Sequence, residues 1–326
     1  MQEARLGLIG AGRWGRRYIQ TIANLQGIHL RRVSSGNPVS RCLVPAGCDV
    51  IPDWRAVIAA GDIDGVIVAT PPSVHFAMAR AAIEAGMPVL VEKPLTLSLD
   101  EAQALSNLAR RHACLVVVGH THLYSPAYRA LKERAAAFGP VRRIVSVGGN
   151  WGPFRRDMTP MWDYAPHDLA MCLDLLGAGP SRVAARVLQR EYTAEGYGEV
   201  VAIDLAFPSG VQAVIEVGNI MTEKHRRFEV RFDQFVLVYD DLALAKLTVG
   251  ELGPDGALEN VSPIHIAATP PIVNQVRSFS DSIAAAQTSD SSLELGVAIV
   301  EVLARCEGCL ADRGEAGPPP QSCKAT

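Results

Sequence analysis

The sequence is short of several features, and each absence removes a class of function. No apolar run reaches the roughly 18 residues that cross a bilayer. Met1-Gln2-Glu3-Ala4-Arg5 carries neither a basic stretch nor a long apolar one, so nothing reads as a secretion signal. Net charge is only -3 with both signs interspersed, which argues against nucleic acid or an anionic membrane as partner and leaves a small molecule. The seven cysteines are odd in number and scattered, and the one close pair, Cys306 and Cys309, has no second pair to complete a metal site. Reduced thiols, no metal and a cytoplasmic location are the expectation.

What is present is enough apolar material for two interiors: 326 residues, 48% of them hydrophobic. The pattern predicts two domains, 1–119 and 120–326. Up to Gly119, strand-like runs at Arg5–Ile9, His29–Ser34, Asp64–Ala69, Met87–Val91 and Cys114–Val118 alternate with helical stretches. Those helices fall at Trp14–Leu25, Asp53–Ala60, Ser73–Ala85 and Ser98–Arg111. Near-continuous apolar strands belong to a sheet covered on both faces, so this half reads as an α/β doubly wound parallel sheet, a Rossmann domain. Beyond Gly119, helices at Ala127–Phe138 and Pro166–Leu176 flank Val141–Gly149, and a series of β-rich runs follows from Arg182 to Leu252. Turns such as Pro208-Ser209-Gly210 join them, which predicts an α+β domain with a large, mainly antiparallel sheet. Helices at Pro271–Ala286 and Leu293–Ala311 close the chain, and 313–326, with its Pro318-Pro319-Pro320 run, reads as a disordered tail.

Gly10, Gly12 and Gly15 spell G-x-G-x-x-G directly after the first strand and at the opening of a helix. The first glycine permits a tight turn, the second lets backbone approach a pyrophosphate, and the third allows close helix packing. Arg13 and Trp14 either line the cofactor or are partly exposed first-turn residues. An NAD site usually has an acid at the end of the second strand, but here that strand runs Val33-Ser34-Ser35-Gly36-Asn37. Ser35, Gly36 and Asn37, with nearby Arg41, suit a 2′-phosphate, so NADP(H) is favoured over NAD(H) unless the segment is only a polar turn. Thr70-Pro71-Pro72 ends another strand at the ligand-binding edge, and His75 follows as a partly exposed structural histidine or a wall of the cofactor cleft rather than a proton donor.

Lys93, in Glu92-Lys93-Pro94, sits at the mouth of the next strand. An ammonium there can stabilise developing negative charge or pass a proton, with Glu92 positioning it; the alternative is a surface loop lysine. In the second domain, Trp162-Asp163-Tyr164-Ala165-Pro166-His167-Asp168 places an imidazole at a predicted helix start beginning with Pro166. Asp163, just before it, would orient His167 or bind a substrate hydroxyl, and Asp168 is expected to point elsewhere. A capping aspartate and a packed histidine are the plainer alternative. Arg155 and Arg156 either meet an anionic group of the substrate or form a solvated basic turn.

Together these segments resemble the Gfo/Idh/MocA oxidoreductase family: the glycine loop, Thr70-Pro71-Pro72 with His75, Glu92-Lys93-Pro94, Gly119-His120-Thr121-His122-Leu123-Tyr124-Ser125-Pro126, and the Asp163 to His167 pair. The resemblance implies a Rossmann domain followed by a domain on an open sheet that often mediates dimer or tetramer assembly. It also implies that Lys93, Asp163 and His167 match the family's catalytic residues. His122 and Tyr124 either line the substrate pocket from the crossover or are, respectively, surface-exposed and packed in the core. Ser35-Gly36-Asn37 is similar to the segment at which glucose-fructose oxidoreductase holds NADP. Trp162 to Asp168 is similar to a variant found in a carbohydrate-associated branch, while Thr121-His122 replaces the Asn-Arg of many relatives. The expected activity is hydride transfer at a secondary alcohol or ketone of a sugar, sugar derivative or cyclitol. An imine reductase of the same superfamily, or a non-catalytic dinucleotide sensor, is the rival expectation.

Overall fold

The computed structural model describes residues 3–254 and 256–318. In the first of its two units, β1 (Ala4–Ile9), β2 (Ile28–Ser34), β3 (Asp49–Ile51), β4 (Gly65–Val68), β5 (Val89–Glu92) and β6 (Val116–Gly119) pair in parallel. Their order is β3-β2-β1-β4-β5-β6, so the direction of winding switches between β1 and β4. Every residue of β4, β5 and β6 is buried, which is why these strands are apolar throughout rather than alternating. The crossovers carry α1 (Arg13–Ala23), α2 (Trp54–Ile58), α3 (His75–Glu84) and α4 (Leu99–His112). Ser98 caps α4 by accepting from Glu101 N, and the left-handed Ala113 ends it. β3 has three residues and no fully buried position, so it left no periodic signal.

Among the described residues, the first unit comprises those up to Thr121 and also Pro270–Val300; the second comprises His122–Thr269 and the described residues after Val300. A single cut at Gly119 therefore does not describe the division. Helix α7 (Pro271–Ala284) and the first part of α8 (Ser291–Asp312) return to the parallel sheet. Missing side chains make room for them: a β-carbon on Gly65 would lie 2.6 Å from Ile283, and one on Gly296 would lie 2.9 Å from Val118.

In the second unit α5 (Pro126–Ala135), β7 (Arg143–Trp151) and α6 (Pro160–Leu176) precede a run of strands. These are β8 (Arg182–Thr193), β9 (Gly196–Ala206), β10 (Gln212–Gly218), β11 (Ile220–Arg231), β12 (Phe235–Asp240), β13 (Leu247–Leu252) and β14 (Leu258–Pro263). They form one eight-stranded sheet, β14-β13-β12-β11-β7-β10-β9-β8, antiparallel at every junction except β7 with β10. Along β10, Ala213, Ile215 and Val217 are buried while the intervening positions are not, and α6 packs on this strand. β14 is exposed at every residue, a short edge with little to bury and hence no hydrophobic pattern to read.

Helix α6 begins at Pro160, six residues before the expected start. Pro160 takes the first helical position, where its missing N–H costs nothing, and Thr159 is the N-cap. Pro166 is an interior residue and forgoes one hydrogen bond. The helix ends at Gly177, φ 63°, as expected. Of the predicted tail, Glu315 accepts a hydrogen bond from Val187 N on β8 at 3.0 Å, while 319–326 lie outside the described residues. Among the described residues no helix is long and apolar enough to cross a membrane, and no cluster of His, Cys, Asp or Glu is arranged to hold a metal.

Candidate active site

The glycine turn is built as its chemistry requires. Gly10 has φ +98°, and a β-carbon on it would lie 2.6 Å from Ala69 O; one on Gly15 would lie 1.9 Å from Gly10 O. Gly12 meets nothing within 4 Å. It caps α1 with no side chain on the free amides and no acid in the first turn, which suits a dinucleotide pyrophosphate. Arg13 is exposed, whereas Trp14 is half-buried against the core with the Arg17 guanidinium 4.9 Å from its ring centre.

At the end of β2, Ser35 Oγ lies 2.8 Å from Ser40 Oγ and accepts from Asn37 N, and Asn37 Oδ1 accepts from Val39 N at 3.0 Å. These bonds shape a short 3-10 turn, Pro38–Cys42, that leaves Gly36, Asn37 and Arg41 exposed and contains no carboxylate.

The turn carrying Lys93 is held from several directions. His75 is fully buried rather than partly exposed, because Nδ1 lies 2.9 Å from Pro94 O and Nε2 2.9 Å from Thr70 O, strapping the start of α3 to the cis Lys93-Pro94 peptide. Pro71 is exposed beside it, and Thr70 Oγ1 lies 3.5 Å from Met78 Sδ. Lys93 is 8% exposed. Glu92 is buried; Tyr18 OH donates to its Oε1 at 2.6 Å and Lys93 N donates to its Oε2 at 3.2 Å. Burial raises the Glu92 carboxyl above its ordinary range, against the Tyr18 hydrogen bond and the Lys93 charge. A β-carbon on Gly119 would lie 3.1 Å from Glu92 Oε1, so that glycine gives the carboxylate its seat.

Glu92 is paired in register with Gly119, so Lys93 and His120 follow one another's lead at the ends of adjacent parallel strands. His120 is 1% exposed, and neither ring nitrogen has a hydrogen-bond partner among the described residues. Burial first, then the Lys93 charge, pushes its imidazole down to about 3. The crossover motif contained His120, but no local pattern marked it as buried.

In the second unit Asp163 and His167 stand one helical turn apart on α6, hence on the same face. Arg155 Nη1 is 3.8 Å from Asp163 Oδ1, and the same guanidinium forks onto Asp157 at 2.9 and 2.6 Å. Arg156 is exposed. The His122 ring meets His167 edge-on, with centroids 4.7 Å apart, and Tyr239 OH lies 3.3 Å from His122 Nδ1. Tyr124 is half-buried with Arg129 5.3 Å from its ring centre. His122, His167, Tyr164, Arg226, Tyr239 and Asp168 line one pocket.

Asp168 thus shares the pocket rather than pointing elsewhere. Ser146 Oγ donates to Asp168 Oδ1 at 2.5 Å, and a β-carbon on Gly148 of β7 would lie 2.9 Å from Oδ2. Burial raises this carboxyl to about 6, against the Ser146 bond and the Arg226 charge. At the helix start, Glu199 Oε1 of β9 accepts from Met161 N at 3.4 Å, and Glu199 N donates to Asn219 Oδ1 at 3.0 Å. Tyr239, Arg226 and Glu199 come from strands far along the chain, and nothing local announced them.

Two models of one family match the chain: an oxidoreductase family with an NAD-binding Rossmann fold over residues 4–120, and the Gfo/Idh/MocA C-terminal domain over residues 128–238. The chain belongs to the Gfo/Idh/MocA oxidoreductase family. Within this Gfo/Idh/MocA family it is 34% identical over 191 residues to UDP-N-acetylglucosamine 3-dehydrogenase of Acidithiobacillus ferrooxidans, covering 57% of this chain and 58% of that one. The alignment thus spans under two thirds of that relative. The chain is 32% identical over 231 residues to inositol 2-dehydrogenase 4 of Saccharopolyspora erythraea, covering 66% and 67%. A crystal structure of a Magnetospirillum magnetotacticum MS-1 protein superposes with TM-score 0.87 and 40% identity, over 94% of this chain and all of the other. A crystal structure of the Acidithiobacillus ferrooxidans dehydrogenase superposes with TM-score 0.80 and 26% identity, over 95% and 98%.

Proposed function

We propose that the protein is a dehydrogenase or reductase that uses NADP(H) in preference to NAD(H) and acts at a secondary alcohol or ketone of a sugar, sugar derivative or cyclitol. The observation that carries this reading is the α6 face, where Asp163 and His167 lie one turn apart with the His122 ring against His167. A carboxylate and an imidazole so placed suit removal of a hydroxyl proton near neutral pH. The substrate class is supported by the relatives named for UDP-N-acetylglucosamine and inositol.

The Gly10 to Gly15 turn and the free amides of α1 would hold the pyrophosphate, with Ser35, Gly36, Asn37 and Arg41 around the 2′-phosphate of the adenosine ribose. The bound dinucleotide supplies the hydride acceptor or donor. In the oxidation direction His167 takes the substrate hydroxyl proton, Lys93 stabilises the oxygen as it becomes negative, and Asp163 orients the imidazole. Reduction reverses these proton movements. His122, Tyr124 and Arg155 shape the polar pocket, with Arg156 toward solvent. The enzyme works in the cytoplasm as a homodimer or homotetramer assembled through the eight-stranded sheet.

The test is a titration with NADP(H) and NAD(H), followed by nicotinamide absorbance measurements on a panel of polyols, inositols, UDP-sugars and cyclic imines. Turnover on a carbohydrate, reduced at least 100-fold in both Lys93→Ala and His167→Ala, is the expected result. Wild-type turnover in either variant would refute the residue assignments, and turnover on imines alone would refute the substrate class.

A further inference from the structure

We propose that Tyr18 is a positioning residue that ties the cofactor-binding helix to the turn bearing Lys93. This rests on the reading of Lys93 given above, and it goes beyond that reading by joining two sites through one buried hydrogen bond.

Tyr18 lies on α1, the helix whose open amino end is the glycine turn, and its side chain is fully buried. Its hydroxyl donates to Glu92 Oε1 at 2.6 Å, and the other oxygen of that carboxylate accepts from Lys93 N at 3.2 Å. The chain of contacts is therefore helix, phenol, carboxylate, catalytic turn. A buried carboxylate is held in its charged form chiefly by the donors aimed at it, so each donor contributes more here than at a surface. Gly119 supports the same arrangement, since a side chain there would displace Glu92.

An α-helix moves as a rigid element. A phosphate drawn to the amino end of α1 therefore shifts or settles Tyr18 as well, and through Glu92 the backbone of Lys93. A phenylalanine at position 18 would keep the ring and its packing while removing only the donor.

The experiment compares wild type, Tyr18→Phe, Glu92→Gln and the double variant. Acetylation of Lys93 by a trace of acetic anhydride is read by mass spectrometry on its peptide, against exposed Lys224 as internal reference, with and without NADP+. Tyr18→Phe is expected to label Lys93 at least threefold faster than wild type while its dissociation constant for NADP+ stays within twofold. In the Glu92→Gln background the same substitution is expected to have a smaller effect, because an amide oxygen accepts the Tyr18 hydrogen bond less strongly than a carboxylate does. Wild-type labelling in Tyr18→Phe overturns the proposal. So does an effect of equal size in both backgrounds, which would mean only a loosened core. Labelling without NADP+ tests this link even if no dinucleotide binds, whereas failure of Lys93→Ala to reduce turnover would sink the catalytic reading instead.

Discussion

His120 should make the first unit acid-labile in a way that a single substitution can isolate. Its ordinary value is 6.5 and its folded value is about 3, because a charged imidazole would have to sit in a dry site beside Lys93. The folded value is depressed, so the unfolded chain binds the extra proton. Stability from this group is full above pH 6.5 and drains away as pH falls toward 3. At pH 5 the unfolded imidazole is almost wholly charged and the folded one almost wholly neutral. With 1.36 kcal/mol per pH unit of differential protonation, the loss between pH 7 and pH 5 is about 2 kcal/mol.

The perturbation is His120→Leu, which removes the titrating group while keeping a side chain of similar bulk in the buried site. Urea unfolding at pH 7 and pH 5, followed by pulsed hydrogen exchange on β6 peptides, gives the stability of this unit in each protein. Wild type should lose about 2 kcal/mol more than the variant over that interval. Equal losses would refute the argument and mean that the imidazole finds a charged partner or solvent in the folded protein.

The glycine turn predicts opposite outcomes for neighbouring substitutions. Gly15→Ala forces a β-carbon to within 1.9 Å of Gly10 O and should lower the melting temperature by several degrees. Gly12→Ala meets no atom within 4 Å and should melt like wild type, yet weaken NADP+ binding about tenfold by intruding on the phosphate; both are read by calorimetry. Asp168→Asn concerns a carboxyl raised by burial from 3.8 to about 6, so its stabilising effect is present below 3.8 and lost as pH rises through 6. Relative to wild type, the asparagine protein should gain about 2 kcal/mol between pH 4 and pH 7 in urea titrations. Glu199→Ala removes the buried acceptor at the start of α6; thermal melting should fall, with amide exchange rising first at Met161 and its neighbours.

Most of the first unit could be read from sequence because parallel strands buried on both faces are apolar without interruption, and the turns between them bear glycine and proline where geometry demands it. The second sheet was readable as a class, though β14 was missed, since an exposed edge strand has no inward face. Helix α6 began too late in the reading because Pro166 resembles a helix start; Pro160 had already taken that position, leaving Pro166 inside. Residues that sit within a motif, such as Lys93 and His167, could be singled out as candidates from the sequence alone. Tyr18, Tyr239 and Arg226 could not, because their significance comes from tertiary contacts and not from spacing.

The return of α7 and the start of α8 to the parallel sheet has a consequence for biosynthesis. When residue 121 leaves the ribosome, the surface around Gly65 and Val118 still lacks the helices that cover it. The missing pieces emerge only after the whole stretch from 122 to 269, roughly 7 to 30 seconds later at ordinary elongation rates. During that interval the nascent nucleotide-binding half presents bare apolar sheet, a natural client surface for chaperones. Anyone wishing to express that half alone would need to stitch 270–300 onto 1–121 rather than stop translation at the crossover.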